Sequence, residues 1–416
     1  MSAATGHRSL SRSRRVRIIG LTAALAFAVT MTACTSSTRS ASTASSSAVP
    51  GAPHPPLDSA AITTQFKQLA KSMMIPGAAM LIRTPDGEVT ATYGTTELGG
   101  STPVSLDDHV RVGSNTKTWT ATAILQLVQE GKIALNDPVS RYRPDVPNGA
   151  NITIKELLNM TSGLFNYTET YQMNQDMDLK PQTAWNPEQL VAMGTGLPPY
   201  FAPGKGWHYS NTNYILLGLI AEKIENKPLQ QIFEERFFTP LGLKNTSFPA
   251  IEDATIPAPY SNGYMYTDNV QTLATSKLPA DLLAQAQAGT LLPNDQTNTN
   301  PSWAWAAGSG ISTIEDLATW VKALVGGNLL KPDLQQQRLQ DLVKTPIPDV
   351  AYGMGLGKLG PHFYGHTGEL PGYNSYMGYD PVSKVTVVIW SNLAPGADGL
   401  ALAHTIANDL IAKMYS

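Results

Sequence analysis

Strand-like and helix-like patterns are segregated along this chain, and that segregation limits how it can pack. Two strand patterns flank a Pro-Asp-Gly turn over 77–94, and others run near 352–357, 361–367, 373–380 and 385–392. Helical periodicity fills the stretch between, over 115–131, 153–159, 187–194, 212–226, 228–238 and 313–327. Further helical patterns lie at 62–73 and about 399–413, and Glu315 and Asp316 favour the first turn of the helix at 313–327. Residues 267–300 are polar and broken by Pro and Asn, which predicts loop with some helix. The simplest packing joins the two chain ends in one antiparallel sheet flanked by helices, with the middle as a mostly helical lobe. That is an α/β (α+β) architecture with the site in the cleft between the lobes.

The first residues do not belong to that fold. Arg8, Arg12, Arg14, Arg15 and Arg17 precede the apolar run "IIGLTAALAFAVTMTA" (18–33), which is short for a spanning helix and reads as an export signal over 1–33. Cys34, the single cysteine, follows at once, and "MTAC" resembles a bacterial lipobox with Met31 where leucine is usual. "SRRVRII" faintly resembles a twin-arginine signal, although Arg17 interrupts its apolar part. Residues 34–57, rich in Ser, Thr, Ala and Pro, read as a tether, and 58–416 as the folded domain. Lipid on Cys34 would place a monomeric domain at the outer face of the cytoplasmic membrane. Removing 1–33 takes away five arginines and no acid, so 24 basic residues face 32 acidic ones, a net charge of about −8. That balance argues against nucleic acid as a partner.

"VGSNTKTWTATAILQLVQEGK" (112–132) sets the chemical question. Residues three apart on a helix share a face, so Ser114 and Lys117 can meet. A serine hydroxyl needs a base within hydrogen-bond reach, and a lysine serves only if burial or cations lower its pKa. Ser114 can equally be an ordinary helix cap, and the stretch alone leaves both readings open. Two later elements bear on it: Tyr209 and Asn211 form Tyr-x-Asn just ahead of a helix, and His366, Thr367 and Gly368 open a strand. Taken singly, Tyr209 is an ordinary half-buried tyrosine and His366 a satisfied strand histidine, and Tyr-x-Asn recurs at 260–262. No serine sits in Gly-x-Ser-x-Gly, no phosphate loop is present, and His362 and His366 lack companion ligands for a catalytic zinc.

The ordered set Ser-x-x-Lys, Tyr-x-Asn, His-Thr-Gly, with "LLNMTSGL" (157–164) and "AAGSGISTIEDLA" (306–318), resembles the penicillin-recognising serine hydrolases. That family comprises DD-peptidases, class C β-lactamases and related esterases, and the resemblance covers roughly 65–415. It implies a β-lactamase/DD-peptidase-like fold and acyl transfer through a covalent serine, without metal or cofactor. Ser114 would be acylated and Lys117 would share its proton with Tyr209. Asn211 would bond Lys117 and the substrate amide, and His366 would lower the Tyr209 pKa and orient its hydroxyl. Backbone N–H groups of Ser114 and Glu369 would form an oxyanion hole, and Thr367 would help bind a substrate carboxylate. Glu369 departs from the small or hydroxyl residue frequent there, and on a strand it shares a face with Thr367. Unless it turns outward or meets a basic side chain, it would repel a substrate carboxylate. The expected activity is D-alanyl-D-alanine carboxypeptidase-type cleavage of cell-wall peptides, with ester or amide hydrolysis on a neutral substrate close behind. β-Lactamase activity follows, and a non-catalytic penicillin- or wall-binding lipoprotein is the alternative of another class.

Overall fold

Both chain ends supply strands, and the three that are buried almost throughout, at 77–84, 373–379 and 386–391, lie inside the sheet with both faces covered. In the computed structural model, which describes residues 57–416, the strands are β1 (Gly77–Thr84), β2 (Gly87–Gly94), β3 (Val343–Lys344), β4 (Val350–Tyr352), β5 (Gly357–Leu359), β6 (Phe363–Leu370), β7 (Tyr373–Tyr379) and β8 (Thr386–Ser391). They form one sheet in the order β2-β1-β8-β7-β6-β5-β4-β3, and neighbouring strands run antiparallel. The first and last strands close on each other, with Ala79 opposite Trp390 and Leu81 opposite Val388. The expected signal segment, Cys34 and nearly all of the tether lie outside the described residues.

Each face of the sheet has its own core. Met80, Ile82, Val387 and Ile389 pack against α1 (Ser59–Ser72) through Phe66 and against α5 (Leu402–Met414) through Ile406 and Leu410. Leu81, Val388 and Trp390 face the helical lobe, which includes α2 (Thr116–Gln129), α3 (Asn211–Glu225) and α4 (Ile314–Gly326). Complete burial of a leucine- or valine-sized side chain contributes roughly 1.5–3 kcal/mol, so two such layers hold the sheet rigid. The antiparallel sheet built from both chain ends and the helical middle are as the sequence predicts.

Three local features differ. The helix at 115–131 looks amphipathic, with Ile124, Leu127 and Val128 on one face, yet α2 is buried almost all round. Its threonines make that tolerable, because their hydroxyls bond carbonyls: Thr118 to Asn115 O at 2.7 Å, Thr120 to Ala306 O at 2.7 Å and Thr122 to Thr118 O at 2.6 Å. The strand expected at 352–357 is broken into β4 and β5. Gly355 lies between them with φ +73°, and a Cβ there would meet the Ala121 Cβ at 2.1 Å. Only glycine allows that turn to close on α2. Helices over Tyr171–Leu179 and Pro332–Gln340 were not predicted, since neither carries a clear apolar stripe.

Candidate active site

Ser114 sits in a single 3-10 turn, Gly113–Asn115, that leads into α2. From Asp108 to Leu125 every residue is buried except Ser114, which is partly exposed. The turn is stapled to the sheet: Asn115 Nδ2 donates to Ser375 Oγ at 2.8 Å, and Ser375 Oγ donates to Val112 O at 3.0 Å. Gly113 has φ +54°, and a Cβ there would lie 2.5 Å from Glu369 N. The backbones of the turn and of β6 therefore touch beside Ser114, and a side chain at 113 would separate them. No side chain caps α2, so Ser114 does not act as its cap.

Lys117 is one turn on, completely buried, with its Nζ 2.9 Å from Ser114 Oγ. It donates to Ala307 O at 2.7 Å. Burial holds its pKa well below the ordinary 10.5, which leaves the amine lone pair for the serine proton. Tyr209, just before α3, lines the cavity with Ser114, and Lys117 Nζ is 4.8 Å from its ring centre. Burial raises the Tyr209 pKa above 10, opposed in part by the neighbouring Ser114, so Tyr209 stays a phenol.

Asn211 begins α3, and its surroundings depart from expectation. Its Nδ2 donates to Thr168 Oγ1 at 3.1 Å and its backbone N–H to Asn166 Oδ1 at 3.0 Å. The Lys117 amine bonds Ala307 O and Ser114 Oγ instead.

His366 also has partners that its motif does not announce. Its Nε2 is 3.0 Å from Tyr352 Oη and its Nδ1 2.5 Å from Thr367 O. The carbonyl fixes a proton on Nδ1, so Tyr352 donates to Nε2. Burial, above all, depresses the imidazole from 6.5 to about 3. Its ring centre is 6.5 Å from that of Tyr209, and both of its nitrogens are engaged by Tyr352 and Thr367.

A cavity of about 330 Å3 opens over Ser114, lined by Tyr209, Asn211, Asn166, Thr168, Trp303 and Glu369 among others. Thr367 and Gly368 are not among its lining residues. Register places Thr367 opposite Tyr376 and Glu369 opposite Asn374, so the two share a face as the strand periodicity requires. Glu369 Oε2 accepts from Asn374 Nδ2 at 2.8 Å, a neutral amide where a basic side chain was one expectation. Surrounding protein lifts the Glu369 carboxyl from 4.5 towards about 7, a rise tempered by solvent, because the residue is exposed at the cleft mouth. Tyr352, Thr168 and Asn374 carry no short-motif signal, and Ala307 lies within the 306–318 stretch with nothing in its residue type to mark it as a partner of Lys117.

The sequence profile of the family described as Beta-lactamase matches residues 62–410, most of the chain and, in whole or in part, every element above. This chain belongs to that family. Among similar proteins is PbpX of Bacillus subtilis, provisionally named a penicillin-binding protein, 27% identical over 328 residues that span 79% of this chain and 73% of PbpX. A D-stereospecific amidohydrolase from Streptomyces is 30% identical with a TM-score of 0.72, covering 86% of this chain and 99% of that one. D-amino acid amidase from Ochrobactrum anthropi is 25% identical with a TM-score of 0.72, covering 85% and 98%. Within the family the fold is β-lactamase-like and the chemistry is that of serine hydrolases.

Proposed function

We propose that this chain hydrolyses amide bonds of small D-configured substrates through an acyl-serine intermediate. The observation that carries the reading is a partly exposed Ser114 with the buried, pKa-depressed amine of Lys117 at 2.9 Å. Ser114 Oγ attacks the substrate carbonyl while its proton passes to Lys117 Nζ. The C–N bond then breaks as the leaving amine takes the Tyr209 proton, and Lys117 returns a proton to Tyr209. Water attacks the ester carbonyl by the same route, releasing the acid and restoring the Ser114 hydroxyl. Backbone N–H groups of Ser114 and Glu369 are the proposed oxyanion donors, supported by the close approach that Gly113 permits.

The D-amino-acid substrate class is supported by the Streptomyces and Ochrobactrum neighbours. D-Alanyl-D-alanine carboxypeptidase action ranks behind it, favoured by the likeness to PbpX. Its substrates end in a carboxylate, and the cavity lining offers one acid and no lysine, arginine or histidine to receive it. Attachment to the outer face of the membrane through lipid on Cys34 is part of the proposal, supported by "MTAC" after the apolar run; Cys34→Ala should release the protein from membranes.

A fluorophosphonate should label the purified full-length chain at Ser114, with the label lost in Ser114→Ala, and D-alaninamide should release ammonia. A wild type that takes no label would remove Ser114 as the nucleophile. Faster release of D-alanine from a D-alanyl-D-alanine peptide than of ammonia from the amide would reverse the ranking of substrates.

A further inference from the structure

We infer that Glu369 is the recognition residue for a substrate ammonium group, so that the site selects amides with a free α-amino group and rejects anions. The inference rests on the reading of Ser114 as nucleophile and names what the neighbouring side chain selects.

Three observations converge. The cavity holds a single acid: apart from Ser114 and Tyr209, the other lining side chains are amides, hydroxyls and apolar groups, among them Asn166, Thr168, Trp303 and Leu370. One charge of one sign sets the field there. The only polar partner of the Glu369 carboxylate among the described residues is neutral, the Asn374 amide on Oε2. Oε1 receives no hydrogen bond from them, and no cation offsets the crowding around the group. The carboxylate is nevertheless held in place. Asn374 is buried, and its Oδ1 accepts from Ala403 N in the first turn of α5 at 2.8 Å. That bond orients the amide so that Nδ2 must point at Glu369, and the β6–β7 register puts the two residues directly opposite.

A carboxylate that is positioned, solvent-open and without a cation leaves an ammonium-shaped gap in its bonding. An N+–H···O− bond to Oε1 would supply the missing charge. Location selects which ammonium. The Glu369 backbone lies against Gly113, next to Ser114, so a carbonyl carbon at Ser114 Oγ brings its α-substituents to this end of the cavity. An acyl group bearing a free amine meets Glu369, whereas an N-acylated one presents a neutral amide that cannot pair with the charge.

The test measures protection of Ser114 in the full-length protein, which does not require turnover. D-Phenylalaninamide or its N-acetyl counterpart competes with a fluorophosphonate, and each rate is referred to the same variant without competitor. The wild type should be protected by roughly 10- to 100-fold lower concentrations of the free amine. Glu369→Gln, which keeps the shape and the Asn374 bond, should bring the two competitors within about threefold, and Glu369→Asp should restore part of the preference. Equal protection by both amides in the wild type, or an undiminished preference in Glu369→Gln, overturns the assignment. Ammonia release is scored separately: amine-selective protection without hydrolysis would uphold the ammonium site while removing the amidase reading.

Discussion

Ser114 lies between two walls that treat polar groups differently. On the helical wall Lys117 is sealed from water and is bonded to Ser114 and Ala307. Tyr209 and Tyr214 close over the lysine, with ring centres 4.8 and 5.6 Å from its Nζ. The strand wall is split: His366 is buried and bonded at both nitrogens, whereas Glu369, three residues on, is exposed to solvent. A dry wall changes what its groups are, here an amine whose charged form is disfavoured and a phenol that keeps its proton. An open wall leaves a group free to meet a ligand. Substitutions on the helical wall should therefore slow acylation, and those at Glu369 should change which molecule binds.

The sharpest break in that comparison is at Lys117. With the amine gone, Ser114 keeps its position but has no base, and Lys117→Ala should lower the fluorophosphonate labelling rate by roughly 10^2- to 10^4-fold. Labelling within tenfold of wild type would show that another group takes the proton. Tyr352→Phe addresses the buried end of the strand wall and should do less. It removes the donor to His366 Nε2 at 3.0 Å and strands a buried acceptor, at a cost of about 1–3 kcal/mol in stability. The urea midpoint should fall while labelling stays within about tenfold. If labelling collapsed with stability intact, Tyr352 would belong to the chemistry and not to the support of His366.

The difference between the walls also explains what could be read from the sequence. Helix spacing put Ser114 beside Lys117, because both lie on one continuous turn and the rule that joins them is local. Tyr209 was recognisable for a related reason, standing two residues before Asn211 opens α3. The partners across the sheet were not. Asn374 meets Glu369 only through the β6–β7 register, and Tyr352 reaches His366 only after the chain turns at Gly355. Period-2 alternation says which face a residue takes and leaves open which residue stands opposite. The charge of His366 was illegible for the same reason, since it depends on burial by elements distant in sequence. Asn211 shows the limit of a motif, since its amide donates to Thr168, some forty residues upstream, a contact no spacing announces.

The smallest effect tests whether the buried part of the strand wall is neutral. The His366 imidazole has its pKa depressed from 6.5 to about 3. Between those values the unfolded chain binds a proton that the folded chain refuses, so stability falls as pH drops below about 6.5. Glu369 opposes this over part of the range: its carboxyl is raised, so the folded chain holds a proton that the unfolded chain has lost, and stability falls as pH rises from about 4.5 towards 7. The two contributions partly cancel in the wild type, which is why the comparison has to be made against His366→Gln. That variant keeps Glu369 and removes the imidazole. Relative to it, the wild type should lose on the order of 1 kcal/mol more between about pH 6 and pH 5, read from urea midpoints. Parallel pH profiles for the two proteins would mean that His366 takes up its proton in the folded state. The strand wall would then carry a cation beside Lys117, and the division between a dry wall for chemistry and an open wall for selection would need redrawing.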